Sequence, residues 1–359
     1  MVISNNNKVK NSKSPSRKRS SSAAKVASKD SSVSDNSVTD SFRPRNFKDI
    51  IGRSKEKKTL NIMIQAAQQR GEALDHILFY GPPGLGKTTF AMSIANEIGT
   101  NIRITSGPVI ERQADLAAIL TNLKKGDILF IDEIHRLSKT VEEMLYPVME
   151  DGVIDIVMGK GPSAKSIRLS LEPFTLIGAT TQIGRIGSPM RDRFGYIRRL
   201  DYFSNEEAEK IVKRAASISG INITSDAVAA IAKRSRGTGR VVLRLFKRIR
   251  DYHESESGKK SDGEITLITA LKALELIGVD ELGLEEIDRK ILHVIYNQFD
   301  GGPVGLSTIS AAISEDSSTI EDVYEPFLMK LGLIKRTTRG RIITEKGAQV
   351  ISGNLLIDN

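Results

Sequence analysis

The chain has 359 residues, with 53 Lys and Arg against 44 Asp and Glu for a net charge of +9. That length allows two or three domains with ample core, and 39% hydrophobic with 27% charged residues is the balance of an ordinary soluble protein. The lack of cysteine excludes a disulfide scaffold, thiolate metal sites and a cysteine nucleophile, while the 4 histidines argue against a multi-histidine zinc enzyme. No apolar run approaches the ~18 residues that a membrane-spanning helix needs, so a cytoplasmic protein is expected.

Residues 1–41 carry eight Lys/Arg and three Asp, a net +5, in a Ser- and Asn-rich stretch without apolar periodicity. Such a segment buries too little to offset the entropy of ordering. It reads as a disordered basic tail with weak affinity for nucleic acid. A transit peptide or, through Arg17-Lys18-Arg19, a nuclear address are the other readings of the same composition.

Order is expected from Phe42. Pro44 disfavours helix at Arg43, which makes Arg43 to Phe47 an extended entry. Leu60, Ile64 and Ala67 mark one face of a helix over Lys55 to about Arg70. His76 to Tyr80 is a short apolar run suited to a buried strand. It is followed at once by Gly81-Pro82-Pro83-Gly84-Leu85-Gly86-Lys87-Thr88, and then by Phe90, Ile94 and Ile98 at helical spacing. This is the G-x-x-x-x-G-K-[ST] loop in its strand–loop–helix setting, where backbone N–H groups and the start of a helix meet a phosphate. Lys87 is expected to neutralise β/γ-phosphate charge and the Thr88 hydroxyl to ligate magnesium.

The second half of the site is Asp127 to Glu133. Four apolar residues form a buried strand, and Asp132 and Glu133 emerge at its C-terminal end, where α/β sheets bind ligands. Asp132 is assigned to magnesium and Glu133 to orienting or deprotonating the attacking water. Ile154 to Met158 and Ser166 to Leu171 roughly alternate about Gly159-Lys160-Gly161-Pro162, which is the pattern of a β-hairpin. A third strand, Phe174 to Thr181, ends in two hydroxyls, of which Thr180 is chosen over Thr181 to reach the γ-phosphate. Arg191 and Arg193, in Ser188-Pro189-Met190-Arg191-Asp192-Arg193-Phe194, fit either a solvated surface or an arginine delivered to a neighbouring subunit.

From Ser204 to about Gly278 the pattern is helical, opening on a capping box at Ser204 and Glu207. A helix after Arg240 carries Val241, Val242, Leu245 and Ile249 together with Arg244, Lys247, Arg248 and Arg250, a basic run that is more often a solvated face than a DNA contact. From about Val279 three helices and a small hairpin spell a winged helix. Residues 281–359 hold eight basic and twelve acidic residues, yet Lys335 to Lys346 hold five basic residues against Glu345 alone. Positive charge is therefore confined to the wing.

Together the phosphate loop, Asp132-Glu133, the hydroxyl after the third strand and the Arg-Asp-Arg element resemble the AAA+ ATPases. The strings Leu74-Asp75-His76, Thr105-Ser106-Gly107-Pro108, Leu145-Tyr146-Pro147, Arg236-Gly237-Thr238, Gly301 to Leu306 and Arg339-Gly340-Arg341 narrow the resemblance to the RuvB family, over about Phe42 to Gly347. The resemblance implies an α/β fold: a parallel-sheet P-loop ATPase domain over 42–203, a helical lid over 204–278 and a winged-helix head over 279–355. It further implies an ATP- and Mg2+-dependent helicase that drives branch migration of Holliday junctions, as a hexameric ring on double-stranded DNA. RuvA would dock on the hairpin at about 153–171, and the RuvC resolvase would join the assembled complex.

Carried over by position, Gly84, Lys87, Thr88 and Thr89 hold phosphates and magnesium, and Phe42 and Arg43 lie beside the adenine. Glu150, Asp151 and Gly152 fall where the family makes backbone-level nucleotide contacts. Arg193 matches the finger acting in trans, with Arg191 the second candidate, and Arg240 matches the lid arginine that reports γ-phosphate status. Phe203 stands where the family has a tyrosine, and Gly239 where it has a proline. Arg336 and Arg341 match the DNA-contacting positions. A clamp-loader-like ATPase and a nucleotide-switched winged-helix regulator are the alternatives that share these parts.

Overall fold

A computed structural model describes residues 41–158, 165–257 and 263–353. The basic tail up to position 40 and the expected turn at Gly159 to Pro162 lie outside the described residues. Among the described residues, no helix is long and apolar enough to cross a membrane.

The described residues form nine strands: β1 (Ile77–Tyr80), β2 (Ile102–Ser106), β3 (Ile128–Asp132), β4 (Val153–Met158), β5 (Lys165–Ser170), β6 (Thr175–Thr180), β7 (Tyr196–Arg199), β8 (Ile334–Thr337) and β9 (Gly340–Ile343). Five of them make a parallel sheet in the order β2-β3-β6-β1-β7. The three strands read from apolar runs are its centre. Ile77, Phe79, Ile128, Phe130, Ile177 and Ala179 face one side, against Leu60 and Ile64 of the Ser54–Arg70 helix and Phe90 and Ile94 of the Lys87–Ile98 helix. Leu78, Leu129, Ile131 and Leu176 face the other, against the Gln113–Leu120 and Lys139–Asp151 helices. Burial on both faces is why these strands carry no alternation. Edge strands β2 and β7 bury less, and their polar residues hide them from a search for apolar runs.

The sheet order has one consequence for chemistry. Because β6 lies between β1 and β3, its C-terminal end stands between the phosphate loop and Asp132, with Thr180 in register with Tyr80.

The expected hairpin forms as a separate pair, β4 with β5, in register from Val153 with Ser170 to Met158 with Lys165. Ile154 points into the core, whereas Ile167 and Leu169 are exposed. Helices Asn205–Ser219, Ser225–Arg234, Gly239–Ser257 and Leu267–Leu276 build the lid, the first capped by Ser204 and Glu207 as the sequence predicts. Phe42 joins the lid core, edge-on to Phe246 at 6.2 Å.

The head packs helices Glu286–His293 and Leu306–Ile313, a third irregular helix and the β8–β9 wing around Ile291, Leu292, Ile309 and Phe327. The third helix, expected as one run over Thr319 to Leu331, widens into a π turn at Ile320–Tyr324 before Glu325–Lys330. Pro326 lies just beyond that turn, and its ring and missing N–H disturb the α-helical ladder there. A final helix, Glu345–Ser352, capped by the Thr344 side chain, is additional to the expected elements.

Candidate nucleotide and DNA sites

Between the sheet's C-terminal edge and the lid lies a cavity of about 600 Å³, a size suited to a nucleotide. Phe42, Arg43, Gly84, Lys87, Thr88, Thr89, Asp132, Glu133, Phe203 and Arg240 all line it. Gly84 has φ +77°, and a methyl group there would lie 2.9 Å from the Arg240 Cβ. The bend thus needs glycine both for its backbone angle and for the close approach of the lid.

Lys87 is buried, and its ammonium donates to the carbonyls of Gly81 at 2.7 Å and Pro82 at 3.0 Å. Burial pushes its pKa down to about 8, against the opposing pull of Asp132 and Glu133. A desolvated cation with carbonyls for partners is suited to a phosphate. Thr88 and Asp132 supply a hydroxyl and one carboxylate to the same cavity. No cluster of three or more His, Cys, Asp or Glu that could hold a metal occurs among the described residues. This donor set fits magnesium, which typically takes one or two protein oxygens and completes its shell with phosphate and water.

Glu133 follows directly at φ +50°, and its N–H donates to the Asp132 carboxylate at 2.9 Å. A left-handed glutamate is an uncommon conformation of the kind that persists at functional sites. Burial and the neighbouring Asp132 raise its pKa, while Lys87 and Arg136 pull it down.

The expectation for Thr180 is corrected. Its side chain is fully buried, and the hydroxyl is occupied by His135 Nδ1 at 2.9 Å and the Gln182 N–H at 2.9 Å. Thr181, one residue past the strand, lines the cavity instead. Strand alternation decides this: the residue that ends β6 points inward, and the next one is free to turn toward the ligand.

Glu150, Asp151 and Gly152 end the Lys139–Asp151 helix, with Gly152 as its left-handed cap, and are not among the residues lining this chain's own cavity. Arg193, too, is absent from that lining, and it bonds Glu150 instead. Arg191 ends the short Ser188–Arg191 helix.

The lid contributes more than the sequence reading assigned to it. Arg244, Lys247 and Arg248 line the cavity beside Arg240. The 240, 244, 247/248 spacing is a one-face helical pattern and is the signal that could have found them. The Arg240 N–H donates to the Gly84 carbonyl at 3.3 Å, which ties the first turn of the Gly239–Ser257 helix to the phosphate loop. Arg214 donates to the Phe42 carbonyl at 2.6 Å, and Arg53 lies over the Phe203 ring at 4.6 Å. Phe42 and Phe203 are thereby fixed in the cavity wall.

In the head, Arg336 is exposed on β8 and lies 2.9 Å from Glu321. Arg341, the second position expected to contact phosphate, sits differently. It is buried, with both Nε and Nη2 on Oε2 of the buried Glu325, at 3.0 and 2.7 Å. A guanidinium so paired braces the wing against the third helix. Lys335, Arg339 and Lys346 are exposed as well.

Three family models match the chain in succession. Residues 42–200 match the Holliday junction DNA helicase RuvB P-loop domain, 203–280 the RuvB AAA lid domain and 281–352 the RuvB C-terminal winged helix domain. The Holliday junction branch migration complex subunit RuvB of Fusobacterium nucleatum subsp. nucleatum is 53% identical over 87% of this chain and 93% of its own length. Its counterpart from Dehalococcoides mccartyi is 57% identical over 89% and 91%. The solved RuvB Holliday junction branch migration motor of Thermotoga maritima superposes with a TM-score of 0.78 at 46% identity, covering 87% of this chain and 98% of that one. With all three domains matched in order and relatives more than half identical along most of its length, the chain belongs to the RuvB family.

Proposed function

We propose that this protein is an ATP-driven DNA motor that moves Holliday junctions, working with Mg2+ as a ring of six copies around duplex DNA. The observation that carries this reading is the division of the ATPase machinery. One chain gathers Lys87, Thr88, Asp132, Glu133 and Thr181 about a cavity whose lining does not include Arg193. A neighbouring copy would deliver Arg193 to offset the charge that develops on the transferred phosphoryl group.

Within one chain, Lys87 holds the β- and γ-phosphates and Glu133 orients water for attack in line with the leaving oxygen. Bound Mg2+ would neutralise phosphate charge between Thr88 and Asp132. The Arg240 contact to Gly84 supports transmission of phosphate occupancy to the lid angle. The exposed wing bases, Arg336 among them, grip phosphates without reading sequence, which suits a motor that must not stop at preferred bases.

RuvA is the partner assigned to the β4–β5 hairpin, supported by its exposed Ile167 and Leu169, with RuvC joining the larger complex. The cytoplasm is the compartment assigned. The test is dissociation of a synthetic four-way junction with RuvA, ATP and Mg2+, comparing wild type with Glu133→Gln. Wild type should resolve the junction into duplexes and Glu133→Gln should bind ATP without doing so. A wild-type protein that loads ring clamps and leaves junctions in place would overturn the reading.

A further inference from the structure

Four contacts run end to end from the DNA-binding head to the acidic residue beside Asp132. Asp322, in the π turn of the third head helix, accepts from the Gln182 side-chain amide at 2.9 and 3.2 Å. The Gln182 backbone N–H donates to the Thr180 hydroxyl at 2.9 Å. The Thr180 hydroxyl meets His135 Nδ1 at 2.9 Å, and His135 Nε2 lies 3.4 Å from the Glu133 carboxylate. With the Thr180 oxygen accepting from Gln182, its hydroxyl hydrogen is free to be given to Nδ1. In that tautomer the proton sits on Nε2, 3.4 Å from the Glu133 carboxylate, so donation runs from the Gln182 backbone toward Glu133 while the Gln182 side chain donates the other way, to Asp322.

The head end of this chain is placed to sense DNA. Glu321, adjacent to Asp322 in the same π turn, pairs with Arg336 of the wing at 2.9 Å. A cleft of about 430 Å³ lined by Pro83, Gln182, Glu321 and Arg336 lies beside the link. A phosphate drawn to Arg336 competes directly with Glu321, and one turn of backbone carries both carboxylates. π turns of this kind are often found at functional sites.

We propose that Asp322 is a positioning residue for Glu133, acting through Gln182, Thr180 and His135, so that engagement of duplex by the wing sets the orientation of the carboxylate that directs water. The inference rests on the reading of Glu133 given above. Asp322 touches no reacting atom. It determines whether Gln182, and with it the start of the loop after β6, is held against the Thr180 hydroxyl that meets His135.

The test measures steady-state ATP turnover of the full chain with and without duplex DNA, in wild type, Asp322→Ala, Asp322→Asn, His135→Ala, the Asp322→Ala/His135→Ala double variant and Glu133→Gln. His135→Ala should lower kcat by about 100-fold with KM for ATP unchanged, the scale of loss that a misplaced reacting group produces. Asp322→Ala should lower DNA-stimulated kcat by about tenfold, again with KM unchanged, and should bring turnover with and without duplex to the same value. Asp322→Asn keeps an oxygen for the Gln182 amide and should behave as wild type. The double variant should be no slower than His135→Ala alone, because both act on one path.

Asp322→Ala with the wild-type DNA response and kcat overturns the inference, as does an Asp322→Asn protein as impaired as Asp322→Ala, which would point to charge rather than the hydrogen bond. Additive losses in the double variant overturn it too. Full turnover by Glu133→Gln would remove the reading of Glu133 itself. That outcome is distinct from the failure of Asp322 alone, in which Glu133→Gln is inactive and Asp322→Ala is normal.

Discussion

Arg193 donates to the Glu150 carboxylate across 2.7 Å, which joins the finger candidate to the helix end that the sequence assigned to nucleotide contact. The same guanidinium donates to the Pro189 carbonyl at 2.6 Å and lies over the Tyr146 ring at 4.8 Å. Three partners hold it outside the lining of its own cavity. Arg193→Ala should therefore lower ATP turnover by about a thousandfold while leaving nucleotide affinity unchanged. Glu150→Ala should lower kcat by about tenfold through looser placement of Arg193, with affinity again unchanged. Titration with a fluorescent ATP analogue beside a turnover assay separates the two quantities. A Glu150→Ala protein with weakened ATP affinity and normal kcat would show that the helix end touches nucleotide itself.

How far the sequence carried depends on burial. The central strands, the phosphate loop and Asp132-Glu133 were legible because fully buried strands and a fixed loop spacing leave little choice of residue. The choice of Thr180 over Thr181 was harder to read. It needs the direction of a side chain at the end of a strand, and a one-residue difference there exchanges inside for outside. Arg244, Lys247 and Arg248 were hidden by their chemistry, since bases on a helix are usually solvated and only the folded lid shows them facing a cavity. The π turn at Ile320–Tyr324 has no apolar period of its own, so a helix was the natural reading.

Lys87 gives a pH dependence with a definite sign. In the nucleotide-free protein its pKa is lowered to about 8, so the ammonium is present below that pH and lost above it. A triphosphate beside it favours the charged form and raises the pKa of the complex. Binding above pH 8 must then take up a proton, and affinity falls as pH rises. ATP should bind about tenfold more weakly at pH 9 than at pH 7, the cost of protonating a group one unit above its free pKa. Isothermal titration in two buffers of different ionisation enthalpy reads the affinity and the proton uptake together. An affinity flat from pH 7 to 9, with no proton uptake, would mean that the ammonium is not the phosphate partner.

The two wing arginines should separate cleanly. Arg336 is 54% exposed and its pair with Glu321 lies at the surface, so that pair is weak and yields to a phosphate. Arg336→Ala should weaken DNA binding for all duplex sequences alike and reduce the salt dependence by about one phosphate contact. Arg341→Ala leaves Glu325 with only Arg336 at 3.9 Å, and Glu325→Ala leaves Arg341 with only Glu321 at 4.0 Å, so each should cost about 3 kcal/mol of stability, the low end for breaking a buried pair. Neither should flatten the salt dependence. Fluorescence anisotropy across a salt series and urea unfolding make the comparison, and a reduced salt slope in a fully stable Arg341→Ala protein would restore Arg341 as a phosphate contact.

Two glycines on either side of the lid hinge should respond in opposite directions to the same substitution. At Gly239 the first atoms that a methyl group would meet are the Phe203 ring at 3.6 Å and the Gly84 carbonyl at 3.7 Å, both ordinary contacts. The residue begins the Gly239–Ser257 helix and is not among the positive-φ positions. Gly239→Ala should therefore stabilise the protein by about 0.5–1 kcal/mol, through lost freedom of the unfolded chain. Gly84 combines φ +77° with a 2.9 Å approach to the Arg240 Cβ, so a methyl group there is strained in its own backbone and displaces the lid. Gly84→Ala should cost about 1–3 kcal/mol, the range for a non-glycine residue held in a sparsely populated conformation. It should also weaken ATP binding, because the loop and Arg240 move together. Urea unfolding with and without ATP measures both effects. Equal shifts at the two positions would mean that the phosphate loop and the lid are not in contact, and the link from Gly84 to Arg240 would lose its basis.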